Sequence, residues 1–101
     1  MERVGFDEME GLGEISAEDF AKFALIGGDY DGATEVKTEG GVTYFEFSDE
    51  DPASKETVKT LVSFYKSGNA FWDIQFISLE KDYARMRPLF MKWAKTITFD
   101  D

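Results

Sequence analysis

The sequence predicts an α+β fold, in which an antiparallel sheet of four to five strands lies between an N-terminal and a C-terminal helix as an α/β/α sandwich. Two segments with helical periodicity flank a group of segments with strand periodicity, and those strands carry apolar side chains on both faces. The 101 residues, 43% of them hydrophobic and 16% aromatic, suffice for one domain spanning residues 1–101 with a core that needs no disulfide.

The first helix is predicted over about residues 17–26 by the residues at its ends. Ser16 is a suitable N-cap, and Asp19, three residues later, completes a capping-box pattern. Phe20 and Phe23 are expected on one apolar face, and a pair of glycines ends the helix. The segment therefore has a defined start, an apolar side and a defined end.

Four segments after this helix read as strands, because apolar and β-branched residues are bounded there by turn residues. Residues 33–38 and 42–48 are expected to form one hairpin around Gly40-Gly41, and residues 57–66 and 70–78 a second hairpin. Both hairpins are therefore antiparallel.

Both faces of the second hairpin are apolar, which is why a helix is expected on each. One face is expected to combine Val58, Val62 and Phe64 with Trp72, Ile74 and Phe76, and the other Leu61 and Tyr65 with Phe71 and Ile77. Residues 3–9 are interpreted as a further strand.

The second helix is indicated by apolar residues that recur at intervals of three and four, namely Tyr83, Met86, Phe90, Trp93 and Ile97. Ser78 is the candidate cap at its start. Pro88 lies inside the pattern and has no amide hydrogen, so the helix is expected to kink or break there. Residues 96–99 are expected to form a short closing strand.

The composition excludes several classes of function. The chain has no cysteine and no histidine, so it holds neither a thiolate zinc site nor a Ser-His-Asp or Cys-His catalytic arrangement. Its net charge is −10, and residues 1–50 carry 14 acidic and three basic residues. Nucleic acid and anionic membranes are therefore poor partners, and no apolar run approaches a membrane span. We expect no enzymatic activity.

The run from Phe64 to Phe76, followed by Tyr83, Pro88, Phe90 and the ending Ile97-Thr98-Phe99, resembles the last strands and the C-terminal helix of PsbP-like domains. These comprise extrinsic photosystem proteins, their bacterial relatives, and a Ran-binding nuclear import factor that shares the fold. The likeness extends over roughly residues 15–99. It implies an α/β/α sandwich and a non-catalytic assembly or accessory role without catalytic residues.

The likeness is incomplete at the N-terminus. PsbP-like domains usually open with a further hairpin before the first helix, whereas only a short segment precedes Ser16. That hairpin is expected to be missing, shortened or encoded upstream of Met1, and a removed upstream segment would place the protein outside the cytoplasm. Missing strands would leave a sheet edge or face open. We therefore expect a homodimer that covers it.

Two candidate sites follow from these patterns. Asp29, Asp31 and Glu35 could supply three oxygen ligands to calcium from a glycine-containing loop, although the ligand order of an EF-hand is not present and turn formation also explains these residues. Tyr65 and Phe71 are the candidate interaction surface, because an exposed aromatic pair on the less apolar sheet face would mark a binding surface.

The sequence therefore favours a non-catalytic binding or accessory module that docks on another protein or on a second copy of itself. The alternative is a small-ligand or calcium-binding domain that uses the loop from Asp29 to Glu35. The first function predicts an exposed apolar patch, and the second predicts that calcium raises the melting temperature.

Overall fold

Five strands and two helices make up the fold of residues 2–28 and 33–98, which are the residues that the computed structural model describes. In chain order they are β1 (Glu2–Gly5), α1 (Ala17–Gly27), β2 (Lys37–Glu39), β3 (Val42–Glu50), β4 (Thr57–Lys66), β5 (Ala70–Leu79) and α2 (Glu80–Thr96). Two short 3-10 turns, Phe6–Glu8 and Leu12–Glu14, connect β1 to α1.

The strands form one antiparallel sheet in the order β1-β5-β4-β3-β2. Strands β2 to β5 follow one another as a meander, and β1 is added beside β5 with Glu2 opposite Asp73 and Gly5 opposite Ala70. The predicted antiparallel sheet is confirmed, as is the predicted further strand near the N-terminus. This fifth strand is short and ends at Gly5.

The turn between β2 and β3 explains why this hairpin was predictable. Gly40 and Gly41 have φ angles of +55° and +85°, in the left-handed region that glycine adopts without strain. Two consecutive residues of positive φ match the right-handed twist of the flanking strands. Strand β2 nevertheless begins at Lys37 rather than at residue 33, because Ala33 and Val36 pack beneath α1 instead of joining the ladder.

Helix α1 begins as its cap predicts, since the Ser16 hydroxyl accepts a hydrogen bond of 3.1 Å from the amide of Asp19. Ala21 is its buried residue, and it packs against Phe45, Val62 and Phe64 of the sheet. The expectation for Phe23 is wrong, because that side chain is 63% exposed on the outer side of the helix.

Helix α2 covers the opposite face of the sheet. Its buried residues Tyr83, Phe90, Met91 and Ala94 pack on Val42, Tyr44 and Leu61. The two helices therefore contact different faces, which confirms the α/β/α sandwich. The predicted apolar stripe is mostly correct, although Trp93 remains 46% exposed.

The predicted pairing of faces between β4 and β5 is wrong. Leu61 is opposite Phe76, and Lys66 is opposite Phe71. Directly opposite residues share a face in an antiparallel pair, so Phe76 lies with Leu61 under α2 while Phe71 lies under α1. Three residues separate the strands, and a shift of one residue in register moves every side chain to the other face.

Three local expectations for α2 also need correction. The assigned helix continues from Glu80 to Thr96 through Pro88 without a break. Its N-cap is Leu79 rather than Ser78, and no side chain caps it. Ile97 and Thr98 are not a strand, and Phe99 lies outside the described residues.

Candidate functional site

The candidate metal site cannot be assembled from the described residues. Asp29 and Asp31 lie outside them, and Glu35 is exposed beside Leu25 and Val36 at the edge of a shallow depression of about 380 Å³. Among residues 2–28 and 33–98, no group of three acidic side chains could hold a metal ion. Calcium binding by this loop stays a prediction.

The candidate interaction surface is wrong as an exposed pair. Phe71 is completely buried under α1, where its ring stacks on Phe20 at a centroid distance of 4.5 Å and meets the edge of Phe6 at 5.3 Å. Tyr65 lies on the opposite face, and its hydroxyl donates a hydrogen bond of 2.8 Å to the carbonyl of Ala94. Both residues hold helices and loops on the sheet.

A polar cluster under α2 is a feature that the sequence analysis missed. The buried carboxylate of Glu46 on β3 accepts hydrogen bonds from the Tyr83 hydroxyl at 2.5 Å and from Arg87 Nε at 3.2 Å. Arg87 also donates to the Tyr44 hydroxyl at 2.7 Å and to Glu39 at 3.2 Å, and Tyr44 in turn donates to Glu39. A glutamate within the apolar run of β3 was the available signal.

The titration of this cluster follows from its hydrogen bonds. Burial, and then the hydrogen bond to Glu39, raise the pKa of Tyr44 to about 12. Burial and the hydrogen bond to Glu46 raise the pKa of Tyr83 above its ordinary value. The hydrogen bonds from Tyr44 and Arg87 lower the pKa of Glu39. Tyr44 and Tyr83 therefore keep their hydroxyl protons as donors, Glu39 is favoured as a carboxylate acceptor, and the cluster fastens α2 to β3.

An open depression of about 640 Å³ lies beside this cluster, between Glu39 and the outer side of α2. Pro88 and Met91 provide its apolar surface, while Lys92 and Lys95 provide positive charge. The nearest guanidinium, that of Arg87, already contacts two carboxylates. The depression therefore offers two exposed lysines rather than a set of converging polar groups.

The outer side of β5 is the least protected part of the sheet. Strand β1 pairs only with residues 70–73, so no strand in the described part of the chain pairs with residues 74–79 on that side. We call residues 74–79 the β5 edge. Its sequence, Ile-Gln-Phe-Ile-Ser-Leu, contains no charge, proline or glycine. Proteins ordinarily protect sheet edges with such residues, or by making the edge strand short.

The opposite edge of the sheet shows that protection. Strand β2 has three residues, all of them exposed, and two of them, Lys37 and Glu39, are charged. The sheet thus has one edge that resists pairing with another strand and one that permits it.

Exposed apolar side chains lie next to the β5 edge on both faces. Ile77 is 57% exposed on the α1 side. On the α2 side, Trp93 is 46% exposed, and its ring lies 6.4 Å from that of Phe76 between centroids. Leu89, one helical turn before Trp93, is 41% exposed. Among the described residues, this edge therefore combines backbone groups that face no partner strand, those of Gln75 and Ile77, with apolar flanks.

Comparisons with known proteins identify no relative. No family model, curated protein or solved structure matches this chain. Within the described residues, none of the helices combines the length and the apolar character that crossing a bilayer requires.

Proposed function

We propose that this chain is a non-catalytic binding module that docks on another protein chain by accepting a strand at the β5 edge. The proposal depends on one observation, the uncharged run of residues 74–79, which pairs with β4 on one side and with no strand of the described residues on the other. Strand addition is a general mode of protein recognition, in which main-chain hydrogen bonds supply affinity and neighbouring side chains supply specificity.

The backbone groups available for such pairing can be assigned from contacts on the other side of β5. The carbonyl oxygens of Ala70 and Ile74 point towards β4, where they accept hydrogen bonds from Ser67 N and Ser63 Oγ. Because successive residues of a strand present their backbone groups to opposite sides, the groups of Gln75, Ile77 and Leu79 face away from β4. The carbonyl of Leu79 already accepts a hydrogen bond from Ser78 Oγ, so a docking strand would bond to Gln75, Ile77 and the amide of Leu79.

The flanking side chains favour a partner strand that is apolar on both faces. On the α2 side, Phe76 and Trp93 form a continuous aromatic surface. On the α1 side, Ile77 and the partly buried Leu79 are available. Aromatic and aliphatic side chains at the centre of an interface contribute most of the binding energy.

The polar cluster supports a structural rather than a catalytic role for the acidic and tyrosine side chains under α2. Glu46 and Arg87 bond to each other and to tyrosine hydroxyls, so these groups are occupied within the fold. An accessory role also agrees with the PsbP-like resemblance of the sequence, which we retain as a proposal about family.

The experiment is a comparison of capture by the tagged chain and by two variants. Ile77→Lys places a charge at the centre of the β5 edge, and Ile26→Lys makes the same change at an isoleucine that is 82% exposed on α1. We expect Ile77→Lys to lose the proteins that the unmodified chain retains, while Ile26→Lys keeps them. Identical captured sets for both variants would exclude docking through this edge.

The alternative function is calcium binding by the loop from Asp29 to Glu35. We predict from the sequence that calcium raises the melting temperature and that Asp31→Ala removes the effect, because bound ligand stabilises only the folded state. Glu10→Ala, at an exposed acidic residue outside the loop, is the control. An unchanged melting temperature at millimolar calcium would contradict this alternative.

A further inference from the structure

We infer that the strand accepted by the β5 edge is the β5 edge of a second copy of this chain, in a two-fold symmetric dimer centred on Ile77. The inference rests on the proposed docking edge and specifies its partner. It follows from the register that the edge permits, from the space that its neighbours leave, and from the distribution of charge.

The symmetry of the sheet limits the possible registers. A two-fold axis perpendicular to the sheet makes two copies of β5 antiparallel and keeps the α2 face of each copy on the same side. Residues that lie opposite each other must then belong to the same face of the sheet. In β5 all odd-numbered residues belong to one face, so an odd-numbered residue of one copy must lie opposite an odd-numbered residue of the other. The available outward-facing groups, those of Gln75 and Ile77 and the amide of Leu79, all belong to odd-numbered residues, so they can bond to one another across the axis.

The position of β1 selects one of these registers. Glu2 already occupies the place opposite Asp73, so a second strand must fit against residues 74–79. Pairing Ile77 with Ile77 of the second copy places Leu79 of that copy opposite Gln75, clear of β1. Moving the centre to Phe76 would place the second Leu79 opposite Asp73, where β1 lies. The register centred on Ile77 therefore uses Gln75, Ile77 and the amide of Leu79 without displacing β1.

The charge distribution favours the same partner. The chain has a net charge of −10, and residues 1–50 contain 14 of its 21 acidic residues. The β5 edge has no charged residue, so two copies can meet there without bringing like charges into contact. An uncharged strand is complementary to another uncharged strand, because burying a charge without a partner is costly.

The dimer would also cover the exposed apolar side chains at this edge. Ile77 would pack on Ile77 of the second copy, and Gln75 on its Leu79, on the α1 face. On the α2 face, Phe76 and Trp93 would lie close to the axis, so the aromatic surfaces of the two copies would be neighbours. Two five-stranded sheets would join into one continuous sheet.

A cysteine at the axis tests the register directly. The chain has no cysteine, so Ile77→Cys introduces a single thiol. Directly opposite residues of an antiparallel pair are about 5.5 Å apart between Cα atoms, a separation that a disulfide spans. We expect mild oxidation to link Ile77→Cys into a covalent dimer at least about tenfold faster than Ile26→Cys, which presents its thiol on α1. Equal rates would overturn the inference.

Sedimentation analysis supplies the second readout. We expect a dimer at micromolar concentration for the unmodified chain and for Ile26→Lys. For Ile77→Lys we expect dimerisation at least about 100-fold weaker, because like charges would be opposed at the axis. Far-UV circular dichroism checks that both variants fold, which the exposure of both isoleucines favours.

The outcomes separate this inference from the proposed function. A monomeric unmodified chain at about 100 μM would overturn the symmetric dimer. A monomeric Ile26→Lys variant would overturn it too, because that substitution leaves the β5 edge unchanged. If Ile77→Lys still lost captured proteins that Ile26→Lys retained, the β5 edge would remain a docking site for a different chain. If capture did not depend on Ile77 either, the proposed function would fail too.

Discussion

Glu46 is a carboxylate inside the apolar layer between β3 and α2, and its role depends on two donors from α2. Glu46→Gln keeps the shape of the side chain but removes the charge that Tyr83 and Arg87 bond to. We expect the free energy of unfolding in urea to fall by about 1–3 kcal/mol, the usual cost of an unmatched buried hydrogen-bonding group. Glu50→Gln, the same change at an exposed residue of β3, should alter it by less than about 0.5 kcal/mol.

Equal effects for the two variants would mean that the polar cluster does not fasten α2. The comparison is informative because both glutamates belong to β3 and differ in burial, with Glu46 only 6% exposed. Because the substitution is glutamate to glutamine at both positions, the difference between the two changes in unfolding free energy reports only the surroundings of each side chain.

The tyrosines of the cluster make stability depend on alkaline pH. The pKa of Tyr44 rises from 10.0 to about 12 on folding, and the pKa values of Tyr65 and Tyr83 are also raised by burial. A raised pKa contributes stability that is complete below pH 10 and is lost as the pH rises through the folded value. We therefore expect Tyr44 and Tyr83 to stay protonated at about pH 10.5 while the chain remains folded.

The measurement follows phenolate absorbance and circular dichroism in the same alkaline titration. Tyr44→Phe and Tyr83→Phe should each leave the absorbance change at about pH 10.5 unaltered, because the removed residue does not titrate there. Loss of phenolate signal in either of these variants at that pH would contradict the assigned protonation.

The residues that the sequence misassigned were those whose neighbours are distant in the chain. Phe71 is an aromatic residue on a strand, and it is buried by Phe6 and by Phe20, which precedes it by 51 positions. From the sequence, Arg87 is interpreted as a solvent-exposed residue of α2, whereas in the fold it contacts Glu46 of β3. Spacing within one segment contains no information about such contacts.

At the level of elements, prediction succeeded where a local signal set the boundary. Strand β4 has the predicted bounds, Thr57–Lys66, and α1 begins at its cap. The predicted pairing of faces between β4 and β5 was wrong because it depends on the number of residues in the turn between the strands. A difference of one residue in that turn moves every side chain of β5 to the other face. Periodicity identifies an element but does not fix its register with a neighbour.

Pro88 is an exception to the rule that proline ends or breaks a helix. The helix continues through it, although proline removes one backbone hydrogen bond and crowds the carbonyl four residues earlier, that of Ala84. Proline costs about 3 kcal/mol in a helix interior relative to alanine, and its restriction of the unfolded chain offsets up to about 1 kcal/mol. We expect Pro88→Ala to raise the free energy of unfolding by about 1–2 kcal/mol.

Urea denaturation of Pro88→Ala, beside Lys92→Ala as an exposed control on the same helix, checks this expectation. A loss of stability in Pro88→Ala would show that the proline ring makes a contact more valuable than the missing hydrogen bond. The depression beside Pro88 and Met91 is where such a contact would lie.

At the scale of the whole molecule, the layered arrangement was predictable because it needs only two apolar sheet faces and two amphipathic helices. The β5 edge, at which we propose docking, was not predictable, since it depends on how far β1 extends along β5. At one end β1 stops opposite Ala70, because Phe6 begins a 3-10 helix and its amide bonds to the carbonyl of Asn69. At the other end, Glu2 lies opposite Asp73, and no strand among the described residues pairs with residues 74–79 on this side.

The net charge of the chain leads to a prediction about how salt affects the proposed dimer. Two copies that each carry −10 repel one another, and this repulsion is screened when the Debye length falls from about 30 Å at 0.01 M salt to about 8 Å at 0.15 M. Because the β5 edge has no charge, pairing there loses no attraction on screening. We therefore expect sedimentation equilibrium to show severalfold tighter dimerisation at the higher salt concentration. Docking of the acidic first half of one copy on Lys92 and Lys95 of another would show the opposite dependence, since salt would then screen an attraction.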